Sequence, residues 1–160
     1  MGTDIYLVWD AETKGQREKQ HYEEFVPKGK VGYLRANVWS VNENYALSQI
    51  FPEKYWRGNH KTILEYDFIS NMAANKKHLL DYLAGKIDFG KENDVLKTQA
   101  LMVNDALNKL AAGGGRILSA GKSEEEIKFR TKWAKEVLDF LELGARLQSE
   151  GKHPRVDIDW

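Results

Sequence analysis

Five residues far apart in the chain could do chemistry together: Asp4, Arg35, Asn37, Asp157 and Asp159. Each falls on the polar side of a segment that alternates polar and apolar residues. If the segments share a sheet, the five share one surface of it. Carboxylates gathered in this way offer hard oxygen ligands to a divalent cation. They could equally form a general acid and base with separated pKa values. With Arg35 steering an anionic substrate, the result would be a small metal-assisted hydrolase. The plainer account is the solvated side of an antiparallel sheet, with Arg35 paired to a neighbouring acid. Sequence does not fix strand register, so the plainer account carries more weight.

Other stretches hold weaker chemistry. Tyr55, Trp56, Arg57, His60 and Lys61 combine flat rings with positive charge, a mixture that stacks and steers single-stranded nucleic acid. The same residues serve as well to cover a helix end. Gly115-Arg116-Ile117-Leu118-Ser119-Ala120-Gly121-Lys122-Ser123 imitates a phosphate-binding loop, but five residues separate its glycines where the motif has four. It also follows a helical pattern where the motif needs a strand, and it reads as a linker. Asp67, Asn71 and His78 share a helix side but spread over about 16 Å, too far for one compact site. His21, His60, His78 and His153 show no i, i+4 pair, so zinc has no support. No serine elbow is present, and no cofactor is expected.

The elements that must position these residues begin with a strand from about Thr3 to Trp9, carrying Ile5, Leu7 and Trp9 on one side. Residues 10 to 30 read as a long polar connection with one helical turn near Gln16 to Phe25. Val31 to Trp39 is a second strand, with Leu34, Ala36 and Val38 on one face and Tyr33, Arg35 and Asn37 on the other. Ser40 with Glu43 forms a capping box for a short helix through Phe51, stopped by Pro52. Thr62 with Glu65 forms another and opens a long helix to about Ala84. Its buried side carries Leu64, Phe68, Ile69, Met72, Leu79, Leu80 and Leu83. A third long helix spans Asp94 to Ala112 and ends at Gly113-Gly114-Gly115. In it, Gln99 points into the apolar arc and Leu101 away from it, which makes Leu101 a candidate contact for a partner.

Ser123 and Glu126 start the dominant element, a helix to Ser149. Its apolar residues, from Ile127, Phe129 and Trp133 to Ala145 and Leu147, fill an arc about 220° wide at about 100° per residue. A peripheral helix needs a stripe only about 100° wide, so this one is central and covered on at least two sides. Arg155 to Trp160 alternates strictly, with Val156, Ile158 and Trp160 inward. The fold class is therefore α+β: three long helices and a short one packed on a small, mainly antiparallel sheet. The sheet is formed by the N-terminal strand, residues 31–39 and the C-terminal strand, in a single domain of residues 1–160.

Composition narrows the function classes. Lysine plus arginine equals aspartate plus glutamate, at 24 each, so no global field draws the chain to nucleic acid or an anionic membrane. The absence of cysteine excludes disulfides and thiolate catalysis. Met1-Gly2-Thr3-Asp4 has neither the basic region nor the apolar run of a secretory signal, and no apolar run is long enough to cross a membrane. A cytoplasmic location is expected.

Met1-Gly2-Thr3-Asp4-Ile5-Tyr6, Gly32-Tyr33-Leu34-Arg35-Ala36 and Phe51-Pro52-Glu53-Lys54-Tyr55-Trp56 together resemble small bacterial and phage proteins that open in the same way. The likeness covers about the first 70 residues. It implies no catalytic role, only that Asp4, Tyr33 and Arg35 belong together. The leading functional expectation is a non-enzymatic domain that binds another protein or its own copy. The metal-assisted hydrolase is the alternative, and a single-stranded nucleic-acid binder using residues 55–61 is the second.

Overall fold

Alternating apolar residues near the two ends of the sequence form neighbouring strands. The computed structural model describes residues 2–22, 28–37, 41–51, 62–86 and 124–159. In chain order the elements are β1 (Gly2–Val8), α1 (Lys14–Tyr22), a 3-10 turn (Lys28–Val31), β2 (Tyr33–Asn37), α2 (Val41–Ile50), β3 (Thr62–Glu65), α3 (Phe68–Leu83), α4 (Glu124–Ser149) and β4 (Arg155–Asp159). The α+β class holds. The sheet has four strands in the order β2-β1-β4-β3, and every neighbouring pair is antiparallel.

Register follows from burial. On the inner face Thr3, Ile5 and Leu7 of β1, Leu34 and Ala36 of β2, and Val156 and Ile158 of β4 are buried. A slip by one residue would turn all of them outward, which the apolar pattern forbids. All but Thr3 share one core with Trp133, Ala134, Val137, Leu138, Phe140 and Leu141 of α4. Helix α3 lies along another side of α4, where the rings of Phe68 and Phe140 stand 6.3 Å apart and those of Tyr82 and Trp133 4.8 Å apart.

Helix α4 also completes both ends of α3. At the start of α3, Gln148 Oε1 accepts from the backbone N–H of Phe68 (2.8 Å) and of Ile69 (3.2 Å). At its end, the buried Arg130 donates to the carbonyl of Tyr82 at 3.1 Å. Donors at a helix start and carbonyls at its end lack partners within the helix. Two side chains of one neighbour supply part of them here, alongside Asp67 at the start and the amide of Gly85 at the end.

Several expectations change. Thr62 to Glu65 is a strand, not the first turn of a long helix. The N-cap is Asp67, whose side chain accepts from Ser70 N at 3.0 Å. Starting at Phe68 sets the buried stripe through Phe68, Asn75, Leu79 and Tyr82. Ile69 lies about 100° away from Phe68 and is half exposed, not buried. Phe129 is exposed as well. It sits at the margin of the apolar arc, and near that end Ile127, Arg130 and Ala134 bury the opposite flank. The second strand begins at Tyr33 rather than Val31, because Gly32 at φ 80° breaks the extended path after the 3-10 turn.

The connection after β1 contains a true helix, α1, of 9 residues. Thr13 and Gln16 form a reciprocal capping box there, Thr13 N to Gln16 Oε1 at 2.8 Å and Gln16 N to Thr13 Oγ1 at 3.2 Å. The expected helix at 94–112 with Gln99 and Leu101, the glycines 113–115, the loop 115–123, the connector 55–61, and Val38, Trp39, Ser40 and Trp160 lie outside the described residues.

Two glycines of helices separate packing from propensity. A Cβ on Gly144 would overlap the ring of Phe68, whereas one on Gly15 in α1 meets nothing within 4 Å. Gly144→Ala should therefore lower stability by about 1–3 kcal/mol in urea unfolding, despite alanine's better helix propensity. Gly15→Ala should leave stability unchanged or raise it.

Candidate functional site

The outer face of the sheet gathers the polar residues that alternation assigns to it. Asp4 on β1 stands opposite Arg35 on β2 and Asp159 on β4, and Tyr6 stands opposite Tyr33 and Asp157. The five candidate residues thus occupy the three neighbouring strands β2, β1 and β4. Asn37 is paired with Gly2 at the end of β2, one row beyond Asp4 and Arg35.

Asp4 is the hub of this face. Its Oδ1 accepts from the Tyr33 hydroxyl at 2.7 Å and lies 3.4 Å from Arg35 Nη1. Burial pushes the Tyr33 phenol up to about 12, and its hydrogen bond to Asp4 adds to the shift. Tyr33 is therefore a hydrogen-bond donor and not a base at neutral pH. Its ring stacks on Tyr6 at 5.1 Å, and Lys28 Nζ lies 5.0 Å from its centroid. Tyr6 in turn stacks on His21 of α1 at 4.5 Å. Burial, helped by Arg17, lowers the His21 pKa, while Asp4 and Asp157 act the other way.

Helix α1 reaches this face without an apolar stripe. Among its described side chains the buried one is Gln20, whose amide donates to the carbonyl of Leu7 at 2.9 Å. A polar helix attached through a buried amide and a ring stack gives little hydrophobic signal in the sequence.

A divalent site built on Asp4, Asp157 and Asp159 is not assembled in this arrangement. Among the described residues, no three carboxylate or imidazole side chains are placed to hold one ion. Asp4 is turned to Tyr33 and Arg35 instead, as in the plainer account of a self-paired sheet surface.

A second cluster, which sequence reasoning missed, lies where β1, β3 and β4 end together. His153 Nε2 stands 2.6 Å from both carboxylate oxygens of Glu65, and its Nδ1 is 3.8 Å from Asp10 Oδ2. Arg155 Nη2 donates to Asp10 Oδ1 at 2.9 Å. An imidazole nitrogen that contacts a carboxylate must carry the proton, so Nε2 donates to Glu65. The backbone of His153 sits at φ 48°, an uncommon conformation for a residue with a side chain. The contacts link residues 88 and 145 positions apart, and a lone histidine signals none of them.

Beside this cluster opens a cleft of about 550 Å³, lined by Glu65, Tyr66, Asp67, Gln148, His153 and Pro154 among others. Its floor is rigid. The Tyr66 hydroxyl donates to the carbonyl of Ile50 at 3.0 Å and accepts from the buried Asn75 amide at 2.9 Å. Asp67 Oδ1 accepts from Gln148 Nε2 at 2.9 Å as well as from Ser70 N. Those bonds lower its carboxyl pKa below the usual range and keep it ionised.

A scan against protein-family models finds no match, and searches of curated proteins and of solved structures find none either.

The Tyr33–Asp4 bond has a spectroscopic signature. Tyr33 is raised in the folded state from 10.0 to about 12, so its contribution to stability is present below pH 10.0 and is lost as the pH climbs towards 12. In ultraviolet titration, the component that Tyr33→Phe removes should ionise late, and Asp4→Asn should make it ionise earlier. A Tyr33 component that ignores Asp4→Asn contradicts the assignment.

Proposed function

We propose that this chain is a non-enzymatic interaction domain that engages another protein, or a second copy of itself, through the edge of its sheet at β3. The observation that carries the reading is Ile63, a large aliphatic side chain that is 51% exposed on an edge strand. Among the described residues β3 pairs only with β4, so its other side presents backbone donors and acceptors of the kind a further strand would use. The strand is only 4 residues long. A short edge resists indiscriminate sheet extension yet still accepts a matched segment.

The polar face supports the same reading. Asp4, Tyr33 and Arg35 satisfy one another, which suits a rigid surface better than a reaction centre. The balanced charge of 24 against 24 leaves recognition to local pattern rather than to long-range attraction. No helix among the described residues is long and apolar enough to cross a membrane, and a cytoplasmic location belongs to this proposal.

Ile63→Lys tests it. Because the side chain is half exposed, the substitution should leave the melting temperature within a few degrees of wild type. Sedimentation over a concentration series, with affinity capture from the source cells, should show an assembly or partner that wild type retains and Ile63→Lys loses. A monomer at every concentration, with a captured set the substitution does not alter, contradicts the proposal.

A further inference from the structure

The cleft at the end of β3 and the charge of the neighbouring rows point to one kind of partner. We propose that the cleft lined by Glu65, Asp67, Gln148 and His153 receives a basic side chain, arginine or lysine, from an extended peptide segment paired along β3. This rests on the reading of β3 as a docking edge and names the chemistry of what docks there.

Charge selects the ligand. The outer face of the β4–β3 half carries Asp157 and Asp159 on β4 and Glu65 on β3, with Asp67 at the mouth of the cleft. The arginine in these rows, Arg155, has Nη2 bonded to Asp10. A segment carrying positive charge at alternate positions would set those charges on the acidic face, because side chains two apart share one side of a strand. A second copy fits less well. The β3 of a second copy carries Thr62, Ile63, Leu64 and Glu65 and so brings no cation to the acidic face.

The helix start at the cleft does not reverse this preference. The first N–H groups of a helix ordinarily attract an anion. Here Phe68 N and Ile69 N already donate to Gln148, and Ser70 N donates to Asp67. What the α3 start offers the cleft is an ionised carboxylate, Asp67, which matches the planar donors of a guanidinium or the ammonium of a lysine. A volume of about 550 Å³ lies inside the range of small-ligand clefts, about 300–1,000 Å³, and admits a whole arginine side chain.

The probe is a fluorescein-labelled peptide alternating arginine with valine, compared by anisotropy with one alternating glutamate with valine. The arginine peptide should bind, weaken as salt rises, and slow amide exchange along β3, while the glutamate peptide should not bind. Asp67→Asn keeps an N-cap and Glu65→Gln keeps an acceptor for His153, so both preserve the frame while removing charge. Together they should weaken the arginine peptide about tenfold or more. Glu142→Gln, exposed elsewhere on α4, should leave it unchanged. The proposal is overturned if the two peptides bind alike, if neither binds, or if Glu142→Gln weakens binding as much as the pair does. If Ile63→Lys abolishes a partner while the arginine peptide fails to bind, the docking edge stands and only this assignment falls.

Discussion

Helix α4 is apolar around too much of its circumference to rest against a single neighbour, and the fold is the solution to that constraint. One flank shares a core with the inner face of the sheet through Ile5, Leu7, Leu34, Val156 and Ile158. Another takes α3. The 3-10 turn comes so close to it that a Cβ on Gly29 would strike the carbonyl of Glu136. The same helix supplies Gln148 and Arg130 to the two ends of α3. Removing α4 would therefore expose apolar surface and also leave the ends of α3 without those partners.

Once the inner face is committed to α4, the outer face has to be polar, and it solves its own problem by pairing. Asp4 meets Tyr33 and Arg35, Tyr6 is sandwiched between Tyr33 and His21, and Gln20 anchors a helix that has almost nothing apolar to bury. At the far ends of the strands the chain tolerates an unfavourable backbone at His153 to hold Glu65 against β4 and Asp10 against Arg155. The proposed recognition falls to what pairing among the described residues does not absorb: the outer side of β3, exposed Ile63, and the cleft where that strand stops.

What could be read from the sequence was whatever repeats with a period. The breadth of the α4 arc, the alternation of β1, β2 and β4, and hence the shared face of Asp4, Arg35, Asp157 and Asp159 all follow from the spacing of apolar residues. Thr62-x-x-Glu65 misled because it has the letters of a capping box, yet those residues pair with Arg155 to Ile158, about ninety positions away. The box that does form, Thr13-x-x-Gln16, opens a helix whose attachment is an amide bonded to a carbonyl, which leaves no hydrophobic trace. Glu65, Asp10 and His153 were hidden for a related reason. Their meeting depends on strand order, and strand order places β4 between β1 and β3.

The central claim is that β1 and β4, from opposite ends of the sequence, form one paired unit against α4. Native-state hydrogen exchange tests it residue by residue. Leu7 N bonds to Gly32 O on the β2 side, so alternation turns the amides of Asp4, Tyr6, Asp157 and Asp159 across the β1–β4 pair, and they should exchange together at the slowest rate, through global unfolding. If the amides of Tyr6 and Asp157 exchange freely while those of α4 stay protected, the pairing that supports the architecture, and the docking edge built on it, is wrong.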